Sequence, residues 1–142
     1  MTTATSTTRQ SDRAQDDDTL HKRKEAAVSF LRDAASGNAR RAFARYAADD
    51  FKHHNAYFPG DAESLAAAMD DNAAKNPGKR LEVQHVVGEG DLVAVHSKVF
   101  HKPGAPLAGV VHIFRFAGDR VAELWDLGQE EPADSPNQYG MF

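Results

Sequence analysis

Val110-Val111-His112-Ile113-Phe114-Arg115-Phe116, a short Ala117-Gly118-Asp119-Arg120 link and Val121-Ala122-Glu123-Leu124-Trp125-Asp126 decide how this chain folds. Both runs alternate with a period of two, and the link between them is turn-forming, so they read as an antiparallel hairpin. Residues 110, 112, 114 and 116 share one face, as Val, His, Phe and Phe. Residues 122, 124, 126 and 128 share a face of the partner strand, as Ala, Leu, Asp and Gly. An imidazole and a carboxylate thus each stand in an apolar row. An unpaired carboxylate is costly to bury there, so Asp126 must be paired, solvated in a cavity, or useful.

Loop length decides whether His112 and Asp126 meet. A three-residue Gly118-Asp119-Arg120 loop pairs Ala117 with Val121 and puts Asp126 directly across from His112. A two-residue Gly118-Asp119 loop puts them on opposite faces unless a bulge restores the register. If they meet, the pair is either an acid/base dyad on a sheet face or a structural His–Asp contact.

Outward from the hairpin, the period remains two over residues 80–87 (Leu81, Val83, His85, Val87) and 92–101. In the latter, Val93, Val95, Ser97 and Val99 face one way and Ala94, His96, Lys98 and Phe100 the other. Upstream the period is helical. Ala27, Phe30, Leu31 and Ala34 form one stripe of a helix beginning near Thr19 and stopped by Ser36-Gly37-Asn38. A second helix carries Ala39, Phe43 and Tyr46-Ala47 and ends near Asp49-Asp50. An aromatic and histidine-rich connector follows over residues 51–60. A third helix spans about Asp61 to Ala74. Helices followed by strands predict an α+β domain over residues 19–142, with a C-terminal tail from about residue 130. Residues 1–18, polar and poor in apolar side chains, are expected to be a disordered arm. The tail ends Tyr139-Gly140-Met141-Phe142 and invites either docking or fraying.

With 142 residues the chain can bury a core without a staple. It has no cysteine, which excludes disulfides and thiolate chemistry. A net charge of −4 and the lack of a sustained basic face argue against nucleic acid. No apolar run reaches the roughly 18 residues of a spanning helix, and the N-terminus has no secretory apolar core, so no membrane partner and a cytoplasmic location are expected. Glycine-rich phosphate loops, dinucleotide fingerprints and nucleophile elbows are missing, so no cofactor is expected. His53, His112 and Asp126 leave open a two-histidine, one-carboxylate metal site, but helical metal-ligand spacing is missing and no metal is expected.

The segments Gly90-Asp91-Leu92-Val93-Ala94-Val95-His96-Ser97, Ile113-Phe114-Arg115-Phe116 and Val121-Ala122-Glu123-Leu124-Trp125-Asp126 together resemble the SnoaL-like polyketide cyclases of the nuclear-transport-factor-two-like superfamily. The ending Met141-Phe142 is similar to that of aldol-condensation relatives. The resemblance covers about residues 20–142. It implies a cone-shaped α+β barrel, three helices packed on a strongly curved antiparallel sheet, with a pocket open at one end. It also implies that Asp126 is the acid/base, that His112 stands beside it, and that His53 and Asn55 hydrogen-bond the developing oxyanion. The Gly118-Asp119 order departs from the usual Asp-Gly turn.

On this reading the protein is a cofactor-independent enzyme performing intramolecular aldol condensation or a related proton transfer on a small apolar or aromatic carbonyl compound. Phe51, Tyr57, Phe58, Phe114 and Phe116 would wall the substrate. A dehydratase or isomerase using the same pair, or a noncatalytic binder, remain alternatives. A homodimer or higher homo-oligomer through the outer sheet face is expected.

Overall fold

The computed structural model describes residues 4–142. The elements run α1 (Ala4–Ala35), α2 (Ala39–Tyr46), β1 (Ala47–His53), α3 (Ala62–Lys75), β2 (Arg80–Glu89), β3 (Leu92–Phe100), β4 (Ala108–Ala117) and β5 (Arg120–Glu130). The five strands form one sheet in the order β1-β5-β4-β3-β2, and the helices cover its inner face.

The core follows the apolar rows. Phe30 of α1 is fully buried between Phe43, 4.8 Å away between ring centres, and Phe114 at 5.6 Å. Val93, Val95, Phe114, Phe116, Val121 and Leu124 supply the sheet side. Asp61 caps α3 by accepting the Ser64 N–H at 2.8 Å, as its Asp-x-x-Ser start allows. The α2 N-terminus is capped from a distance: Asp70 of α3 accepts the Ala39 N–H at 2.7 Å and the Arg40 N–H at 3.2 Å. One carboxylate therefore satisfies two orphan donors of α2 and ties α2 to α3. Arg23 of α1 donates to the Gly90 carbonyl at 2.9 Å and twice to the Gly118 carbonyl, at 3.0 and 3.1 Å. It fixes both hairpin turns against the helix.

Four expectations change. First, residues 4–18 are not a disordered arm: α1 extends back to Ala4. Residues 7–18 of its early turns are exposed to solvent. They continue a helix already nucleated by the packed stretch, with helix-favouring Ala, Arg and Gln and an Asp18–Lys22 ion pair. Residues 1–3 lie outside the described residues. Second, the 47–53 segment is a strand, not a helix end and connector, and it pairs parallel to β5. The sheet is antiparallel only over β2–β5. Third, β2 slips at Gln84 between Val83 and His85, so Val86 rather than Val87 packs on the core; Val87 is 60% exposed. Fourth, of the two loop lengths left open for the last hairpin, the structure takes the two-residue loop with a bulge, not the three-residue loop.

Ala117 pairs with Arg120 and Phe116 with Val121 across a two-residue Gly118-Asp119 loop, but Arg115 pairs with Glu123. Ala122 is the extra residue of a bulge. Beyond it, His112 faces Asp126. Gly118 has φ +62 and Asp119 is not left-handed. A left-handed first residue is what a type II′ turn requires, which explains Gly-Asp rather than Asp-Gly.

The chain after β5 folds back over the outer face. Phe142 stacks on His96 at 5.8 Å, and Lys98 Nζ lies 4.6 Å from the Phe142 ring centre. Gly109 makes room: a Cβ there would meet Met141 Cε at 3.3 Å.

Candidate active site

Asp126 emerges on the inner face just past Leu124, the last deeply buried residue of β5. It lines a cavity of about 300 Å³ between the sheet, α1 and α3. The apolar wall includes Leu31, Leu65, Met69, Leu81 and Val110. The polar lining falls into two groups: Asn55, His112 and Asp126, then Asn72, Lys79 and His101.

Asn55 Nδ2 donates to Asp126 Oδ2 at 2.9 Å. The amide orientation is fixed by its other end, since Asn55 Oδ1 accepts the Tyr57 N–H at 3.0 Å. Only the NH₂ group can then face the carboxylate. No hydrogen bond joins His112 to Asp126, although they are opposite in register. The side chain hydrogen-bonded to Asp126 is therefore Asn55, not the His112 that stands beside it in register.

His112 is 7% exposed, and its Nδ1 is buried without a partner. Burial pushes its pKa down to about 4; Asp126 opposes this and Lys79 adds to it. The ring is neutral at pH 7. It can offer one N–H and one lone pair, but not a positive charge.

Of the expected oxyanion pair, Asn55 lines the cavity and His53 does not. His53 is buried, its Nδ1 accepts the Asn55 N–H at 3.2 Å, and its Nε2 meets the Pro59 carbonyl. Both ring nitrogens are spent bracing the 53–60 loop that carries Asn55. The trio His53, His112 and Asp126 is not gathered as a metal site; among the described residues no three His, Cys, Asp or Glu side chains are so placed. The neighbouring His54 faces outward, 2.6 Å from Glu123 and stacked on Trp125.

Of the five expected wall residues, Phe58 alone lines the cavity. Phe51, Phe114 and Phe116 are buried in the core instead, and Tyr57 is 90% exposed. Their alternation was readable, but a core face and a cavity face look alike in sequence. Lys79, His101 and Asn72 were missed. Lys79 is in step with Leu81, and His101 with Val99, so strand parity carried that signal.

A larger hollow of about 740 Å³ lies between α2, the start of α3 and the β4–β5 turn. It contains neither Asp126 nor His112, and its Arg120 is occupied by the Ala44 and Arg45 carbonyls at the end of α2. Size alone does not make it the reactive site.

A family model for a SnoaL-like domain matches residues 26–124. Among solved structures, an NTF-2 like protein of unknown function from Burkholderia xenovorans LB400 superposes with a TM-score of 0.66 at 21% identity, covering 82% of this chain and 88% of that one. A candidate SnoaL-like polyketide cyclase from Jannaschia sp. CCS1 gives 0.65 at 17% identity, covering 78% and 88%. IdmH, a candidate polyketide cyclase from Streptomyces antibioticus, gives 0.60 at 19% identity, covering 75% and 91%. At these identities the likeness is one of fold. No curated protein matches the chain.

Proposed function

The chain belongs to the SnoaL-like family, and from that premise we propose that it is a cofactor-independent acid/base enzyme for a small carbonyl compound, with Asp126 as the base. The observation that carries this reading is the setting of Asp126. It is the one carboxylate lining the cavity, held by the Asn55 amide and facing a neutral imidazole.

Asp126 takes a proton from a carbon next to a carbonyl, and the electron pair passes into the enolate. Asn55 has a second amide hydrogen and His112 a single N–H; either can bond the enolate oxygen in a cavity walled mainly by apolar side chains. Attack of the enolate carbon on a second carbonyl of the same molecule forms the C–C bond. The resulting alkoxide recovers the proton from Asp126. No redox partner is required. Dehydration or isomerisation uses the same first step, and product mass separates them: loss of water marks the former and unchanged mass the latter. A volume of about 300 Å³ sits at the small end of ligand cavities and suits one or two fused rings. We also propose self-association through the outer face, where Val87 and Leu127 are 60% and 62% exposed.

The test is α-proton exchange of 1-tetralone in D₂O, followed by NMR. The wild type accelerates exchange, and Asp126→Asn loses roughly 10²-fold or more while its circular dichroism is unchanged. Exchange at the wild-type rate in Asp126→Asn removes the base from this account.

A further inference from the structure

Lys79 immediately precedes β2 and reaches the same cavity from the β2 edge of the sheet. It is half-buried, and its ammonium donates at 2.8 Å to Asn72 Oδ1, a neutral amide. No carboxylate of the described residues pairs with it; burial pushes its pKa down with no acidic neighbour to oppose this. His101 shares that wall. Its pKa is lowered first by burial and then by Lys79, with Glu130 pulling the other way. Lys79 is thus the cationic side chain of a cavity whose one anionic side chain is Asp126. The two do not form an ion pair.

A half-buried cation with only an amide for company is unfavourable in the empty protein. A cavity that keeps one has a reason to receive an anion. We infer that the substrate is a carbonyl compound bearing a carboxylate, and that Lys79 anchors that carboxylate. This deepens the proposed function and rests on it for the carbonyl. A volume of about 300 Å³ corresponds to a sphere about 8 Å across, which sets how far the carboxylate stands from the carbon presented to Asp126. The anchor also fixes polarity. The carboxylate is drawn towards Lys79 and repelled by Asp126, so the reactive end points at the base.

Calorimetric titration with 2-naphthoate and with methyl 2-naphthoate tests this without turnover. The two differ in charge and share the ring system. The wild type is expected to bind the acid at least about tenfold more tightly than the ester. Lys79→Met, which keeps chain length and leaves no buried charge, should abolish the preference without lowering the melting temperature. Lys79→Arg should restore most of it. Asp126→Asn should widen it, because a repelling charge is gone. Equal affinity for acid and ester in the wild type, an acid preference that survives in Lys79→Met, or failure of both compounds to bind overturns the anchor. None of these outcomes bears on Asp126-dependent exchange of 1-tetralone, so failure of the anchor is distinguishable from failure of the base.

Discussion

Replacing His112 by leucine should flatten the acid limb of the stability curve. His112 has a folded pKa of about 4 against an ordinary value of 6.5, with burial the largest cause. The folded state therefore refuses a proton that the unfolded chain accepts. Stability from the neutral ring is fully present above pH 6.5 and is lost as pH falls towards 4. Linkage puts the loss at about 2 kcal/mol by pH 5 and about 3 kcal/mol near pH 4. Leucine has no proton to bind, has similar bulk, and removes the unpartnered Nδ1, whose burial costs about 1–3 kcal/mol. Urea unfolding at pH 8, 7, 6 and 5 measures this. The wild type should lose about 2 kcal/mol more than His112→Leu between pH 8 and pH 5, and the variant should be at least as stable at pH 8. The other histidines are common to both proteins and cancel in the difference. Parallel curves would refute a buried neutral His112.

Three more outcomes follow from the same contacts. Asn55→Ala should keep the fold and lower α-proton exchange by about tenfold or more, since Asp126 loses its one positioning donor; unchanged exchange kinetics would remove that role. His53→Ala should act through the 53–60 loop, so its activity loss should come with faster amide exchange at Asn55 and Tyr57, and activity loss without loop loosening contradicts the bracing role. Asp70→Ala should cost about 1–2 kcal/mol in urea unfolding, because two N–H groups of α2 lose their acceptor, and a change below the error of the measurement argues against the distant cap.

Much of this was legible because the inner rows are apolar and periodic. Phe30, Leu31, Val93, Val95 and Leu124 stand where their spacing puts them. The His112–Asp126 opposition was legible as a conditional, and Ala122 is the residue that meets the condition. β1 was not legible. Ala47-Ala48-Asp49-Asp50 has no β-branched or aromatic residue, and the strand exists through parallel pairing to β5, a long-range contact that local pattern cannot reveal. The role of His53 was hidden for a similar reason, since its partners are a backbone carbonyl and a backbone N–H within one loop. Helical residues 4–18 carry no apolar stripe, so the period argument passed over them. Lys79 and His101 were readable by parity, yet only the cavity makes an inward lysine informative.

A crystal structure with 1-tetralone bound addresses the base and its setting together. The account predicts the ketone in the cavity of Asp126, its α-carbon roughly 3–3.5 Å from a carboxylate oxygen, with Asn55 still bonded to Asp126 and His112 in contact with the ligand. A ketone seated in the hollow beside Arg120, or an Asp126 turned away from it, would contradict the account.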